Sequence, residues 1–151
     1  MMTELITTEV VLVDVEAPDR VALIRLIGER LLAAGRVSDL EGFLQDVATR
    51  EAQMPTGLPG GVGIPHARSA HVTASTLGFA RVSGGVDFGA EDGPADLVFL
   101  VAVPAEGDQQ HLKILAALAR RLVHPSFRAA LRSAPGAEEI TRILSREVSV
   151  A

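Results

Sequence analysis

The residues best suited to chemistry lie in the run Arg50 to Val72, REAQMPTGLPGGVGIPHARSAHV, where a glycine-rich segment delivers His66 directly after Pro65. Gly57, Gly60, Gly61 and Gly63 permit positive φ and can turn backbone N–H groups toward an anion, while Pro59 and Pro65 stiffen the turn. The segment therefore reads as a phosphate-holding loop. Nucleotide loops need other spacings: a dinucleotide fingerprint starting at Gly61 would require glycine at His66, and no Lys-Ser or Lys-Thr follows the glycines. The chemistry this points to is a phosphoryl group bound covalently to the imidazole of His66. With no cysteine in the chain, disulfides, cysteine-ligated zinc and thiol catalysis are excluded, and histidine is the best available nucleophile.

Two further residues carry chemical weight. His111 shares a helical face with Leu115, Leu118 and Leu122, so its ring points inward or into a cleft. In the first turn of that helix the dipole disfavours imidazolium, leaving a neutral ring that can donate one hydrogen bond near a terminus that attracts phosphate. Arg50, in the last turn of an earlier helix, offers a permanently charged forked donor, or simply complements the helix dipole. His71 and His124 read as structural, the latter as a surface helix end. A metal site of His66, His71 and His111 with Glu106 is a weaker alternative.

The elements that must position these groups follow from periodicity. Glu9 to Val15 reads as an opening strand, and Pro18-Asp19 starts a helix with Leu23, Ile24, Ile27 and Leu31 inward that Gly35 stops. Ser38 and Glu41 are spaced as a capping box for a second helix bearing Leu40, Phe43, Leu44, Val47 and Ala48. Thr76 to Val82 alternates as a strand, Val86 to Phe88 reads as a short one, Asp92-Gly93 as a turn, and Asp96 to Val103 as a buried strand ended by Pro104. Asp108 is placed to cap a helix reaching about His124. Pro125 opens a short helix, and Gly136 precedes a last one with Ile140, Ile143 and Leu144 inward. The fold expected is α/β or α+β, a mixed sheet of about four or five strands sandwiched by helices.

With 151 residues and 48% hydrophobic content, a single domain over residues 1–151 is expected. A net charge of −5 with dispersed basic residues speaks against nucleic acid. The longest apolar run, Leu97 to Val103, is far short of the ~20 residues of a membrane helix, so a cytoplasmic protein without membrane insertion is expected.

Arg50-Glu51, Thr56-Gly57, GVGIPHA ending with His66 in its sixth place, VDFGAEDGPADLVFLVAVPA and HLKILAALA from His111, in this order over nearly the whole chain, resemble the fructose–mannitol type of enzyme IIA domain (type 2) of the bacterial phosphoenolpyruvate-dependent sugar phosphotransferase system, closest to its fructose branch. The resemblance implies that His66 is the phosphorylated residue, that His111 hydrogen-bonds the phosphoryl group or orients the site, and that Arg50 helps to neutralise it. The phosphate loop would be Thr56, Gly57, Gly61 and Gly63. The implied donor is phospho-HPr and the implied acceptor the cysteine of a fructose-type IIB domain. IIB and the membrane permease IIC would lie on another chain or segment. Leu58, Val62 and Ile64 read as local packing or as part of the docking surface. Neutral imidazole attacks phosphorus in line, and loop N–H groups, Arg50 and His111 would receive the equatorial oxygens. No metal, nucleotide or organic cofactor is required. The alternative is a regulatory protein of similar type, in which the phosphorylation state of His66 selects a binding partner.

Overall fold

The computed structural model describes residues 4–106 and 110–148. After a short 3-10 turn at Thr8–Val10 come β1 (Val11–Val15), α1 (Arg20–Ala33) and α2 (Leu40–Gln53). Three short strands follow, β2 (Gly57–Leu58), β3 (Val62–Gly63) and β4 (His66–Ser69), then the long β5 (Thr76–Val86) and β6 (Ala95–Pro104). The chain ends in α3 (Gln110–Leu122), α4 (Pro125–Ser133) and α5 (Ala137–Glu147).

The sheet is mixed, as expected, but has six strands, in the order β1-β5-β6-β3-β2 with β4 also on β6. β6 runs antiparallel to β5 and parallel to both β3 and β4, which follow one another along its other edge. Residues 97 to 103 of β6 are all buried, the pattern of a strand covered on both faces. α1 packs on β5 and α2, α2 on β4, α3 and α4 on β6, and α5 on β1.

The helices form where the apolar period predicts. Leu23, Ile24, Ile27 and Leu31 are buried on α1, and Gly35 at φ +76° closes that helix with the Arg36 N–H bonded to the Leu31 carbonyl. Ile140, Ile143 and Leu144 are buried on α5. Three expectations are corrected. The cap of α2 is Asp39, whose carboxylate accepts from the Gly42 N–H, because the Ser38 hydroxyl is committed to the His71 carbonyl. Val86 to Phe88 is no separate strand: Val86 ends β5, whose register shifts between Arg81 and Val86 around Gly84 and Gly85, both at positive φ. The segment read as a glycine loop forms β2, β3 and the start of β4. Asp108, the expected cap of α3, lies outside the described residues.

Candidate active site

His66 opens β4, opposite Val101 of β6, and the Val101 N–H donates to the Pro65 carbonyl. His66 is thus held against the most deeply buried strand, β6. Its half-buried ring points Nδ1 at the Ile64 carbonyl oxygen, 2.9 Å away. A carbonyl oxygen only accepts, so Nδ1 carries the proton and the lone pair sits on Nε2.

β4 is locked to α2 by the Ser69 hydroxyl, which donates to Asp46 at 2.6 Å. Asp46, Thr49, Arg50 and Gln53 recur at helical spacing on α2 and line a cleft of about 580 Å³ with His66, Arg68, His111, Leu112 and Leu115. The structure thus brings His66, His111 and Arg50, each singled out separately in the sequence, to one cleft. Arg50 donates to the Met54 carbonyl at the end of α2, which holds the base of its guanidinium near the cleft. His111 stands in the first turn of α3, and its buried Nδ1 has no hydrogen-bond partner among the described residues.

Burial and neighbouring charge favour the neutral form of both rings. Burial lowers the His66 pKa below the ordinary 6.5, the Ile64 carbonyl pulls it back, the Arg50 charge lowers it further and Glu51 opposes. His111 is lowered by burial, then by the Arg68 charge, and protonation of the nearby His66 would lower it further. A neutral imidazole with a free Nε2 is the nucleophilic form.

The glycine-rich segment is not the phosphate cradle its composition suggests. Gly57 and Gly63 are paired in the β2–β3 hairpin, and of the four glycines only Gly60 and Gly61 have positive φ, at its turn. The Gly57 N–H is spent on the Phe88 carbonyl and that of Gly60 on Asp92. A Cβ on Gly57 would lie 2.7 Å from the Phe88 carbonyl and one on Gly63 2.8 Å from the Phe88 ring; at Gly61 it would meet Arg132 and Asp96. The glycines thus answer to close approach of other segments. Thr56 is spent as well. Its N–H and hydroxyl both donate to Glu51, at 2.9 and 2.7 Å, and Glu51 also accepts from Arg20 at 3.0 Å. This buried carboxylate fastens the end of α2, next to Arg50, to the start of the hairpin. None of Thr56, Gly57, Gly61 and Gly63 lines the cleft.

Val62 and Ile64 are buried, as local packing requires, and Leu58 is partly exposed. The exposed apolar residue at the cleft is Leu112. His71 does not join the other histidines: it packs against Gly42 with its Nδ1 3.9 Å from Asp39. Among the described residues no group of three histidines or carboxylates is spaced to hold a metal. His124 is an exposed residue at the N-cap of α4. Sequence reading missed Asp46, Thr49, Gln53 and Arg68. The α2 residues were signalled by the spacing from Arg50, and Arg68 by its place two residues after His66.

A layered α/β frame that holds a neutral imidazole between arginine side chains in an open cleft suits a domain that handles a phosphoryl group. Residues 4–147 match the family model for the phosphoenolpyruvate-dependent sugar phosphotransferase system, EIIA 2, and the chain belongs to that family. It is 37% identical over 144 residues, 93% of this chain and 94% of the relative, to the PTS system fructose-specific EIIA component of Haloferax volcanii. It is 31% identical, over 96% of its length, to the PTS system fructose-specific EIIABC component of Bacillus subtilis, of which it spans 23%. Among solved structures, the nitrogen regulatory protein IIA-Ntr of Neisseria meningitidis superposes with a TM-score of 0.85 at 32% identity, covering 93% of this chain and 97% of that one.

Proposed function

We propose that this chain is a cytoplasmic, single-domain phosphocarrier that takes a phosphoryl group from phospho-HPr onto Nε2 of His66 and passes it to the cysteine of a IIB domain. The observation that carries the reading is the Nδ1–H donation to the Ile64 carbonyl, which leaves Nε2 bare in a cleft shared with Arg50 and His111. In the first half-reaction the Nε2 lone pair forms the new N–P bond while the donor's N–P bond breaks and its electron pair returns to the donor imidazole. Nδ1 keeps its proton on Ile64 throughout. Arg50 offers charge and N–H donors to the equatorial oxygens, and His111 orients them. In the second half-reaction a IIB thiolate attacks phosphorus and His66 leaves as the same neutral tautomer.

Fructose is the proposed sugar, on the similarity to the fructose-specific component of Haloferax volcanii. The IIB domain and the IIC permease would be separate chains or segments. No helix among the described residues is long and apolar enough to cross a membrane. A second reading, a regulatory protein whose phosphorylation state selects its partner, draws on the similarity to IIA-Ntr of Neisseria meningitidis.

The test is intact-mass analysis after incubation with phosphoenolpyruvate, enzyme I and HPr. One acid-labile phosphoryl group on the wild type and none on His66→Ala is the expected result; no modification, with active HPr confirmed, overturns the reading. Rapid loss of the label to a fructose-type IIB separates transport from regulation.

A further inference from the structure

Arg68 has no part in the scheme so far, yet its position in β4 places it within the same cleft. His66 and Arg68 are alternate residues of the strand and so share one face, about 7 Å apart along the chain. Both line the cleft with Arg50 and His111, and Arg68 is exposed there. Its Nη2 donates to the Ala105 carbonyl at 2.9 Å, which tethers the guanidinium beside the end of β6. A guanidinium has five N–H donors, and this is the single bond Arg68 makes among the described residues.

A charge balance shows what the cleft lacks without it. Arg20, Arg25, Arg81 and Arg132 each hold a carboxylate, whereas Arg50 and Arg68 hold none among the described residues. The cleft also contains Asp46, whose charge offsets that of Arg50, and its two imidazoles are neutral. A phosphoryl group brings close to two negative charges, one of which is offset by the phosphorylated ring because Nδ1 keeps its proton. Arg50, itself offset by Asp46, would leave the other uncompensated, and Arg68 supplies the next positive charge. The two arginines approach from different elements, Arg50 from α2 and Arg68 from β4. Arg68 is the first charge felt by His111 after burial, as Arg50 is the first felt by His66.

We propose that Arg68 is a second phosphoryl-binding residue, which with Arg50 clasps the phosphoryl group carried on His66 and so sets how far transfer from the donor proceeds. This rests on the phosphocarrier reading above. The tether to Ala105 orients the fork, and the remaining N–H groups take phosphoryl oxygens. No bond in the transfer step is made to Arg68; its effect is on the stability of phospho-His66.

The experiment measures the equilibrium of phosphoryl transfer between HPr and this protein, with the phosphorus-31 resonance of phospho-His66, for wild type, Arg68→Gln and Arg68→Lys. Arg68→Gln should shift the equilibrium against phospho-His66 by about tenfold, the lower range for one charge-assisted hydrogen bond at a partly exposed site. Its resonance should move while thermal unfolding does not, because Arg68 buries nothing. Arg68→Lys should recover part of the shift, since it restores the charge without the fork. An Arg68→Gln protein with wild-type equilibrium and resonance overturns the proposal and leaves the carrier reading standing. Lowered melting in both variants with no recovery by lysine makes Arg68 structural and also overturns it. A wild type that takes no phosphoryl group removes the carrier reading and this inference together.

Discussion

Replacing Arg50 with glutamine separates the two things its charge does. In the proposed phosphocarrier the guanidinium offers charge-assisted hydrogen bonds to the transferring phosphoryl group, and losing one costs about 1.5–3 kcal/mol. At 1.36 kcal/mol per decade this slows acceptance by roughly 10- to 150-fold at pH 7.5. The same charge also lowers the His66 pKa, second to burial among the lowering influences. Protonation of Nε2 removes the attacking lone pair, so the wild-type rate should fall only below the ordinary histidine value of 6.5. In Arg50→Gln one lowering influence is gone and the midpoint moves up. The ratio of wild-type to variant rate must therefore grow as pH falls from 7.5 toward 6. Single-turnover labelling by phospho-HPr, quenched on the millisecond scale, reads both effects. A ratio that stays constant across pH, or a midpoint that moves down in the variant, would refute the placement of Arg50 against His66.

Three further outcomes are expected. Glu51→Ala strips the partner from Arg20 and from both donors of Thr56, and should lower stability by about 3–5 kcal/mol in urea unfolding; a loss below about 1 kcal/mol would show the buried cluster to be dispensable. Gly63→Ala drives a Cβ into the Phe88 ring and should cost about 1–3 kcal/mol while leaving phosphoryl acceptance at low temperature intact, whereas full stability with lost acceptance would restore the cradle reading of the glycines. The pKa values of His66 and His111 are depressed in the folded state, so the unfolded chain binds more protons below pH 6.5. Stability should be full above that pH and be lost as pH falls through 6.5 toward the folded values, with a shallower slope in His66→Asn; unchanged unfolding midpoints between pH 7.5 and 5.5 would contradict it.

The parts of this fold legible in the sequence are those whose cause is local. The inward residues of α1 and α5 repeat with the helix because one face of each is buried, and β6 announces itself as an unbroken apolar run. Ser38 and Asp39 are both sound caps, and only the distant His71 carbonyl, which occupies Ser38, decides between them. β4 could not be read as a strand: HARS has neither alternation nor β-branched residues, and its pairing with β6 is 35 residues away. The glycines misled for the same reason, since Phe88, Arg128 and Arg132 are what crowd them. Arg68 followed β4 into obscurity, because the spacing of two means a shared face only once the strand is known. His66, His111 and Arg50 were found through residue type and order, and the structure supplies their meeting.

Because β4 sits beyond β3 on one edge of β6 while α3 carries Leu112, His66 and the apolar rim of its cleft have separate supports. His66 is referenced to the backbone of the innermost strand, while Leu112 at the mouth is an exposed side chain on α3 whose replacement disturbs no packing. Such a part can be refitted without being recalibrated. The rim can be recut for a different client while the imidazole is presented at the same point in space. One frame can then serve under names as different as a fructose-specific component and a nitrogen regulatory protein.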